Sequence, residues 1–393
     1  MIFQRKLLNK IEKSLLTDEI VVVTGMRRVG KTTLLKMIFD KIPSQNKVFL
    51  DIENPVEQKI FEEEDYNNIW ANLKQFGISD NEKTYLFLDE IQAKPGIVNA
   101  IKYLYDHYKV KFFLTGSSSF YLKNLFPESL AGRKIIFELF PLDFEEFLIF
   151  RGAKKFFSSS FSTKEKGKNK IAHERLKKFY AEYLEFGGFP QVVLADTFEQ
   201  KRGFLNDIFK SYFEKDVRSL ADFRDIGIFR DLLLLLLQRV GSKLDISKLS
   251  AETGVSRATV YSYLSFLRGT YMIDLVPLYS KSVDRETAGA KKVYVCDNGF
   301  LSQFSRLAVG SLLENAVYLN LKQKGGVKYY QKAGGSEIDF ILDGKIALEI
   351  KENGDQTDFN KLARIAQGLR IKEKYIISKN FVADKGFLSA IDI

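Results

Sequence analysis

The chain has 393 residues, 45% hydrophobic and 28% charged, a balance that excludes a disordered chain and a length that calls for two or three cores. A single cysteine, Cys296, excludes an intrachain disulfide framework and suits a reducing, cytoplasmic setting. The formal net charge of +10 points either to a polyanionic partner such as DNA or RNA or to a lysine-rich surface that merely keeps the protein in solution, and no apolar run is long enough to predict a membrane span.

Residues 1–16 set Arg5, Lys6, Lys10 and Lys13 among apolar residues at helical spacing, which reads as an amphipathic helix rather than a signal peptide. Five β-rich runs follow: Ile20–Thr24, Lys47–Asp51, Tyr85–Asp89, Lys111–Thr115 and Lys134–Leu139. Helical patterns separate them, which predicts an α/β fold with a mainly parallel sheet covered on both faces. Residues 54–83 read as a polar, helical excursion.

The first run leads into Gly25-Met26-Arg27-Arg28-Val29-Gly30-Lys31-Thr32, and an apolar helix follows. A G-x-x-x-x-G-K-[ST] segment between a strand and a helix is a phosphate-binding loop. Its glycines turn successive backbone N–H groups inward, and the helix N-terminus adds its dipole. Gly25, Arg28, Gly30, Lys31, Thr32 and Thr33 are the predicted nucleotide contacts, with Lys31 on the β- and γ-phosphates and Thr32 on Mg²⁺. The third run ends in Asp89-Glu90. Asp89 is placed to hold Mg²⁺, directly or through water, and Glu90 to activate the attacking water. ATP and Mg²⁺ are therefore the expected cofactors. The fourth run, inserted between the first and third, gives a predicted sheet order of 5-1-4-3-2.

That run ends in Thr115-Gly116-Ser117-Ser118-Ser119, where Thr115 or Ser117 is the candidate γ-phosphate sensor, the alternative being caps for the next helix. Leu130-Ala131-Gly132-Arg133 enters the fifth run. Arg133 is a candidate finger reaching a neighbour's phosphate in a homo-oligomer, the alternative being an intrachain salt bridge.

From Pro141 to about Arg239 the pattern is helical: Phe144–Phe150, His173–Phe186, Phe198–Phe213 and Ile226–Gln238. Within it, the polar stretch from Ser158 to Lys170 predicts a mobile loop. His107 and His173 read as ordinary helix residues. Residues 246–264 carry a helix-turn-helix logic: Gly254 for the turn, Ser256 as cap, and Val255, Val260 and Leu264 toward the core. Arg257, Thr259 and Ser262 would then face a DNA major groove. A hairpin over 275–296 with a loose tip would be a wing, its Lys281, Arg285, Lys291 and Lys292 meeting phosphates.

Beyond Gly310 come a helix at Leu312–Leu321, strands Lys328–Gln331, Glu337–Leu342 and Ile346–Lys351, a helix and a last strand at Lys374–Ile377. Glu349 and Lys351 share one strand face by the two-residue period, and a hairpin brings Asp339 beside them. Glu314, Asp339, Glu349 and Lys351 together make a candidate Mg²⁺ site for phosphodiester cleavage.

Eight segments together resemble the prokaryotic AAA-type ATPases that carry a C-terminal DUF4143 domain. They are the phosphate-binding loop, Leu88-Asp89-Glu90-Ile91-Gln92, Leu114-Thr115-Gly116-Ser117-Ser118, Leu130-Ala131-Gly132-Arg133, Pro141-Leu142-Asp143-Phe144-Glu145-Glu146-Phe147, Gly187-Gly188-Phe189-Pro190, Lys292-Val293-Tyr294-Val295-Cys296-Asp297-Asn298-Gly299 and Glu337-Ile338-Asp339-Phe340. The resemblance implies a P-loop ATPase domain over residues 1–140 and a helical lid and linker over 141–239. It further implies a winged helix-turn-helix over 240–305 and a PD-(D/E)xK nuclease-like domain over 306–393, although no proline precedes Asp339. The expected function is Mg²⁺-dependent ATP hydrolysis coupled to DNA binding, without a membrane. Two alternatives stand beside it: a slow nucleotide-dependent switch docking a protein with an inert nuclease-like fold, and an ATP-gated DNA nuclease.

Overall fold

The computed structural model describes residues 3–117, 132–153, 155, 158, 160–218, 223, 225–332 and 335–393. Ser118, Ser119, Leu130 and Ala131, named above in sequence motifs, lie outside these. Packing divides the chain into two compact units. The first comprises Met1–Phe140, Tyr212–Ala221 and Gly269–Tyr271; the second comprises Pro141–Ser211, Asp222–Arg268 and Met272–Ile393.

The first unit is built on a parallel sheet of β1 (Ile20–Thr24), β2 (Lys47–Asp51), β3 (Tyr85–Asp89), β4 (Lys111–Gly116) and β5 (Lys134–Glu138). Its order, β2-β3-β4-β1-β5, is the predicted 5-1-4-3-2 read from the other edge. Strands buried on both faces read as continuous apolar runs, and every residue of β1 is buried. On one face Val22, Leu88, Phe112 and Leu114 pack with Trp70, Leu73, Ile101 and Leu104 from helices Tyr66–Lys74 and Ile97–Tyr108. Toward the other, helix Lys31–Lys41 buries Leu34, Leu35 and Ile38, and Phe39 meets Phe87 edge-on at 5.2 Å. Because all five strands run the same way, the residues that follow β1, β3 and β4 converge at one edge of the sheet, where ligands of such sheets bind.

The second unit contains two helices, Ile246–Thr253 and Arg257–Gly269, joined at Gly254 with φ of 70°. An antiparallel pair follows, β6 (Ile273–Val276) and β7 (Lys292–Val295). The expected loose tip instead holds a helix, Val283–Ala288, started by the Ser282 side chain accepting from Arg285 N. A mixed sheet of β8 (Val327–Gln331), β9 (Glu337–Leu342), β10 (Ile346–Lys351), β11 (Glu373–Ser378) and β12 (Phe387–Ser389) completes the unit in the order β12-β11-β10-β9-β8. The sequence predicts β11 as the last strand; β12, whose three residues are too few to show a period, follows it.

A second correction concerns the polar stretch expected to be a mobile loop. Phe161–Lys166 is a helix, because Ser160 caps it through Thr163 N and Phe161, 5% exposed, stacks on Tyr375 at 5.8 Å. Val255, expected in the core, is only half-buried. The Gly187-Gly188 and Asp297 motif residues form a packing joint: a Cβ on Gly187 would lie 1.8 Å from Asp297 Oδ1, and one on Gly188 2.1 Å from Leu142 O. Gly188 N also donates to Asp297 Oδ2 at 2.6 Å.

Candidate functional site: the phosphate-binding loop and a carboxylate–lysine cluster

At the edge of the first sheet, Gly25 (φ 153°) leaves β1 so close to β5 that a Cβ would sit 2.1 Å from Leu139 O. Only glycine fits there. Gly30 (φ 98°) opens helix Lys31–Lys41, and Arg28, exposed, occupies the left-handed region at φ 69°. The buried Arg5 guanidinium braces the loop by donating to Val29 O at 2.8 Å and Phe140 O at 2.7 Å. Lys31, 4% exposed, donates to Met26 O at 3.3 Å and lies 3.6 Å from Glu90 Oε1. Thr33 is exposed on the first helical turn.

The Thr32 and Thr115 hydroxyls both hydrogen-bond the Asp89 carboxylate. Burial raises the Asp89 carboxyl above its ordinary value, and those hydroxyls work against the rise. Thr115 also accepts from Glu90 N at 2.9 Å, so one side chain fixes both carboxylate residues. Glu90 itself has φ of 52°, a strained conformation for a residue with a Cβ. Burial works to raise its carboxyl, but Lys31, Gln92 and Arg27 hold it below the usual value. A threonine hydroxyl, a buried carboxylate and a lysine brought together at the strand ends are the set that suits Mg²⁺ beside phosphate oxygens, so the residues fit that ion.

Two residues at this edge, Gln92 and Asp216, carried no site role in the sequence. Gln92 Nε2 donates to Glu90 Oε2 at 2.5 Å and to Ser117 Oγ at 3.0 Å. Ser117 Oγ donates to Asp216 Oδ1 at 3.2 Å, and Arg27 Nε to Asp216 Oδ2 at 3.3 Å. Asp216 arrives from a π-helical turn, Tyr212–Val217, where the sequence predicts only a continuing α-helix to Phe213. Arg133 is not brought to this edge. It precedes β5, at the opposite end of the strands, and its Nη1 lies 2.5 Å from Asp106 Oδ1.

In the second unit, β9 and β10 are joined through Asp343 (φ 51°) and Gly344 (φ 68°). Their register sets Phe340 opposite Leu348, so Asp339 stands across from Glu349. Lys351 Nζ donates to Glu349 Oε1 at 2.9 Å, and Asp339 Oδ2 accepts from Ile350 N at 2.8 Å. Glu314 on helix Val309–Leu321 joins them, accepting from the Tyr294 hydroxyl at 2.6 Å.

Into this cluster projects Lys292 from β7, with its side chain 5% exposed. Its ammonium lies 3.6 Å from Glu314 Oε1 and 4.0 Å from Asp339 Oδ1, and it is also paired with Glu337. The expectation that Lys292 meets phosphate from a wing is thus corrected: three carboxylates draw it inward. Burial and Asp339 push Glu314 up to about 7, while Glu314 and Asp339 hold Lys292 above its ordinary value against burial. Among the described residues, no group of three or more histidine, cysteine or acidic side chains is arranged to hold a metal. The Lys292 ammonium already supplies positive charge among these carboxylates, so the cluster as it stands does not suit Mg²⁺.

Of the predicted DNA contacts, Arg257 and Ser262 are exposed, whereas Thr259 is half-buried and its hydroxyl is within 2.9 Å of the capping Ser256 Oγ. No helix among the described residues is long and apolar enough to cross a membrane.

Comparison with known proteins agrees with this geometry for the first unit. Residues 17–148 match the family described as an AAA domain, which makes this part an AAA-type P-loop ATPase domain. Residues 177–310 match a domain of unknown function, DUF8612, rather than the DUF4143 that the motifs resemble. An uncharacterized protein of Methanocaldococcus jannaschii is 29% identical over 93% of this chain and 83% of its own length. Among solved structures, a signal-transduction ATPase with a tetratricopeptide repeat sensor from Pyrococcus horikoshii is 17% identical, with a TM-score of 0.29. That match covers 82% of this chain and 46% of the other, and so slight a likeness supports no functional conclusion. At 30% identity over 87% of its own length and 86% of its relative's, this AAA-domain chain belongs to the same family as an uncharacterized protein of Haemophilus influenzae.

Proposed function

We propose that the chain binds ATP with Mg²⁺ at the Lys31 loop and hydrolyses it, using the turnover to change the state of its C-terminal region. The observation that carries this reading is the meeting of Lys31, Thr32, Asp89, Glu90 and Thr115 at one strand edge. When bound, Mg²⁺ would supply charge neutralisation at the phosphates. Thr32 and Asp89 would hold it. The loop amides and the Lys31 ammonium bind the phosphates, which take the place of Met26 O and Glu90 as partners of that ammonium. Glu90, relieved of Lys31 and steadied by Gln92 and Thr115, accepts the proton of the attacking water. Wild-type chain should release phosphate from ATP only with Mg²⁺, and Lys31→Ala should abolish both nucleotide binding and release. Turnover unchanged in Lys31→Ala would end this reading.

For the C-terminal region we read residues 240–305 as a winged helix-turn-helix and 306–393 as a nuclease-like domain without cleavage. The buried Lys292 favours an inert fold over an ATP-gated nuclease, because it already neutralises the carboxylates. The exposed Arg257, Tyr261 and Ser262 support docking to duplex DNA. A salt titration tests that docking: affinity should fall linearly in log–log form, and no binding at low salt would leave a protein-docking switch as the better account.

A further inference from the structure

The polar contacts at the nucleotide edge close a ring that starts and ends on the phosphate-binding loop. From Lys31 it runs to Glu90 (3.6 Å), Gln92 (2.5 Å), Ser117 (3.0 Å), Asp216 (3.2 Å) and back to Arg27 (3.3 Å). Five of the six members lie inside the predicted nucleotide motifs. Asp216 comes from far along the chain, outside the residues that match the AAA domain, and its side chain is 3% exposed.

We propose that Asp216 is a positioning residue of the nucleotide site, holding Arg27 through their ion pair and yielding it to the phosphates when a triphosphate binds. The inference rests on the ATP reading above. Arg27 lies four residues before Lys31 in the same loop, and its side chain is 13% exposed. It has two ion-pair partners, Asp216, buried, and Glu53 at 3.3 Å, which is 39% exposed, and Glu90 is a further carboxylate near it. Solvent screens the Glu53 contact, so Asp216 is the stronger hold. A triphosphate brings several negative charges beside the same guanidinium, which suits planar, bidentate recognition of phosphate. Arg27 cannot satisfy both anions from one position.

Once Arg27 turns to phosphate, Asp216 is left as a buried carboxylate with Ser117 as its remaining hydrogen-bond partner among these residues, beside newly arrived negative charge. That is a costly arrangement, relieved by movement of the backbone that carries it. Asp216 sits in the π-helical turn Tyr212–Val217 rather than a regular helix. Such turns recur at functional sites, because a wide, poorly bonded turn absorbs displacement at little cost. The segment that senses the nucleotide is thus also the one built to shift.

The test uses the full chain, with a non-hydrolysable ATP analogue and Mg²⁺ as the probe. Asp216→Asn keeps the shape and the Ser117 partner but removes the charge that competes for Arg27. It should tighten analogue binding by roughly tenfold, about the weight of one partly buried ion pair. A residue with a merely structural role would weaken binding when replaced, so the sign discriminates. In the Arg27→Met background the gain should vanish. In the wild type, which needs no variant to fold, the analogue should increase hydrogen exchange of amides 212–217. Unchanged or weaker binding by Asp216→Asn, a gain that persists without Arg27, or increased protection of 212–217 would each overturn the proposal. Wild-type chain that binds no nucleotide would end the ATP reading and this role with it, whereas tight wild-type binding with no Asp216→Asn effect would end this role alone.

Discussion

Replacing Lys292 by Met should loosen the second unit far more than a lysine-to-methionine change on a surface. The side chain is 5% exposed and its ammonium faces Glu314 at 3.6 Å, Asp339 at 4.0 Å and the Glu337 carboxylate. Methionine fills nearly the same space but strands carboxylates that are themselves half-buried. Breaking a buried ion pair by removing one partner costs about 3–5 kcal/mol. The chain carries its own reporter, because Cys296 is its single cysteine and is buried one residue beyond the strand that bears Lys292. When opening is fast and rare, the thiol-labelling rate follows the opening equilibrium, and about 1.4 kcal/mol is worth a factor of ten. Lys292→Met should therefore accelerate labelling of Cys296 under native conditions by roughly a hundredfold to a few thousandfold. Trp70, the only tryptophan, lies in the core of the other unit and serves as the internal check that this unit stays folded. Adding Glu337→Gln, which removes one stranded charge, should return part of the loss. An acceleration below about tenfold would refute the view that Lys292 neutralises this cluster.

Four further outcomes follow from the geometry. Gly25→Ala places a methyl group 2.1 Å from Leu139 O, so it should abolish nucleotide binding and lower the Trp70 unfolding midpoint by several degrees. Thr115→Val keeps the shape but removes the hydroxyl shared by Asp89 and Glu90. It should lower kcat by about 10²–10⁴-fold, the range for loss of a positioned catalytic group, with a much smaller change in analogue affinity. Arg133→Ala breaks a half-exposed pair with Asp106, so stability measured by denaturant should change by no more than about 1 kcal/mol. Turnover at dilution that separates protomers should match wild type, and a loss confined to assembled protein would identify a role in trans. Burial lowers His173 below its ordinary 6.5, with its ring 2.9 Å from Ser389 Oγ. The folded state thus binds the proton less well than the unfolded one, so this contribution is complete above 6.5 and is lost as pH falls through the folded value. In denaturant titrations below pH 6.5, His173→Gln should lose stability less steeply than wild type.

The sheet of the first unit was legible almost to the residue, because five buried parallel strands write themselves as apolar runs and the loop between strand and helix has a fixed spacing. The hairpin that sets Asp339 across from Glu349 was equally readable from the two-residue period. Asp216 was not. Periodicity reports which face of an element is buried, and nothing in it connects Asp216 to Ser117, 99 positions earlier. Lys292 was misplaced for a related reason. Lysine in a hairpin reads as solvent-facing unless its partners are known, and here those partners come from a helix and a strand further along the chain. The small helices Phe161–Lys166 and Val283–Ala288 were lost among polar residues, since each is defined by a serine cap more than by an apolar stripe.

The first unit is not finished where its sheet ends. Its Tyr212–Ala221 and Gly269–Tyr271 pieces are translated long after Phe140, and Tyr212 bonds Thr270 between their hydroxyls at 2.8 Å. At roughly 5–20 residues per second, a ribosome needs about 7–26 seconds to pass from the end of the sheet to Tyr271. Through that interval the nascent loop exists without Asp216 for at least the first half, with Glu53 as the remaining ion-pair partner of Arg27. A fragment cut after Phe140 would be arrested permanently in that condition, so the excised sheet is a different molecule from the unit it contributes to.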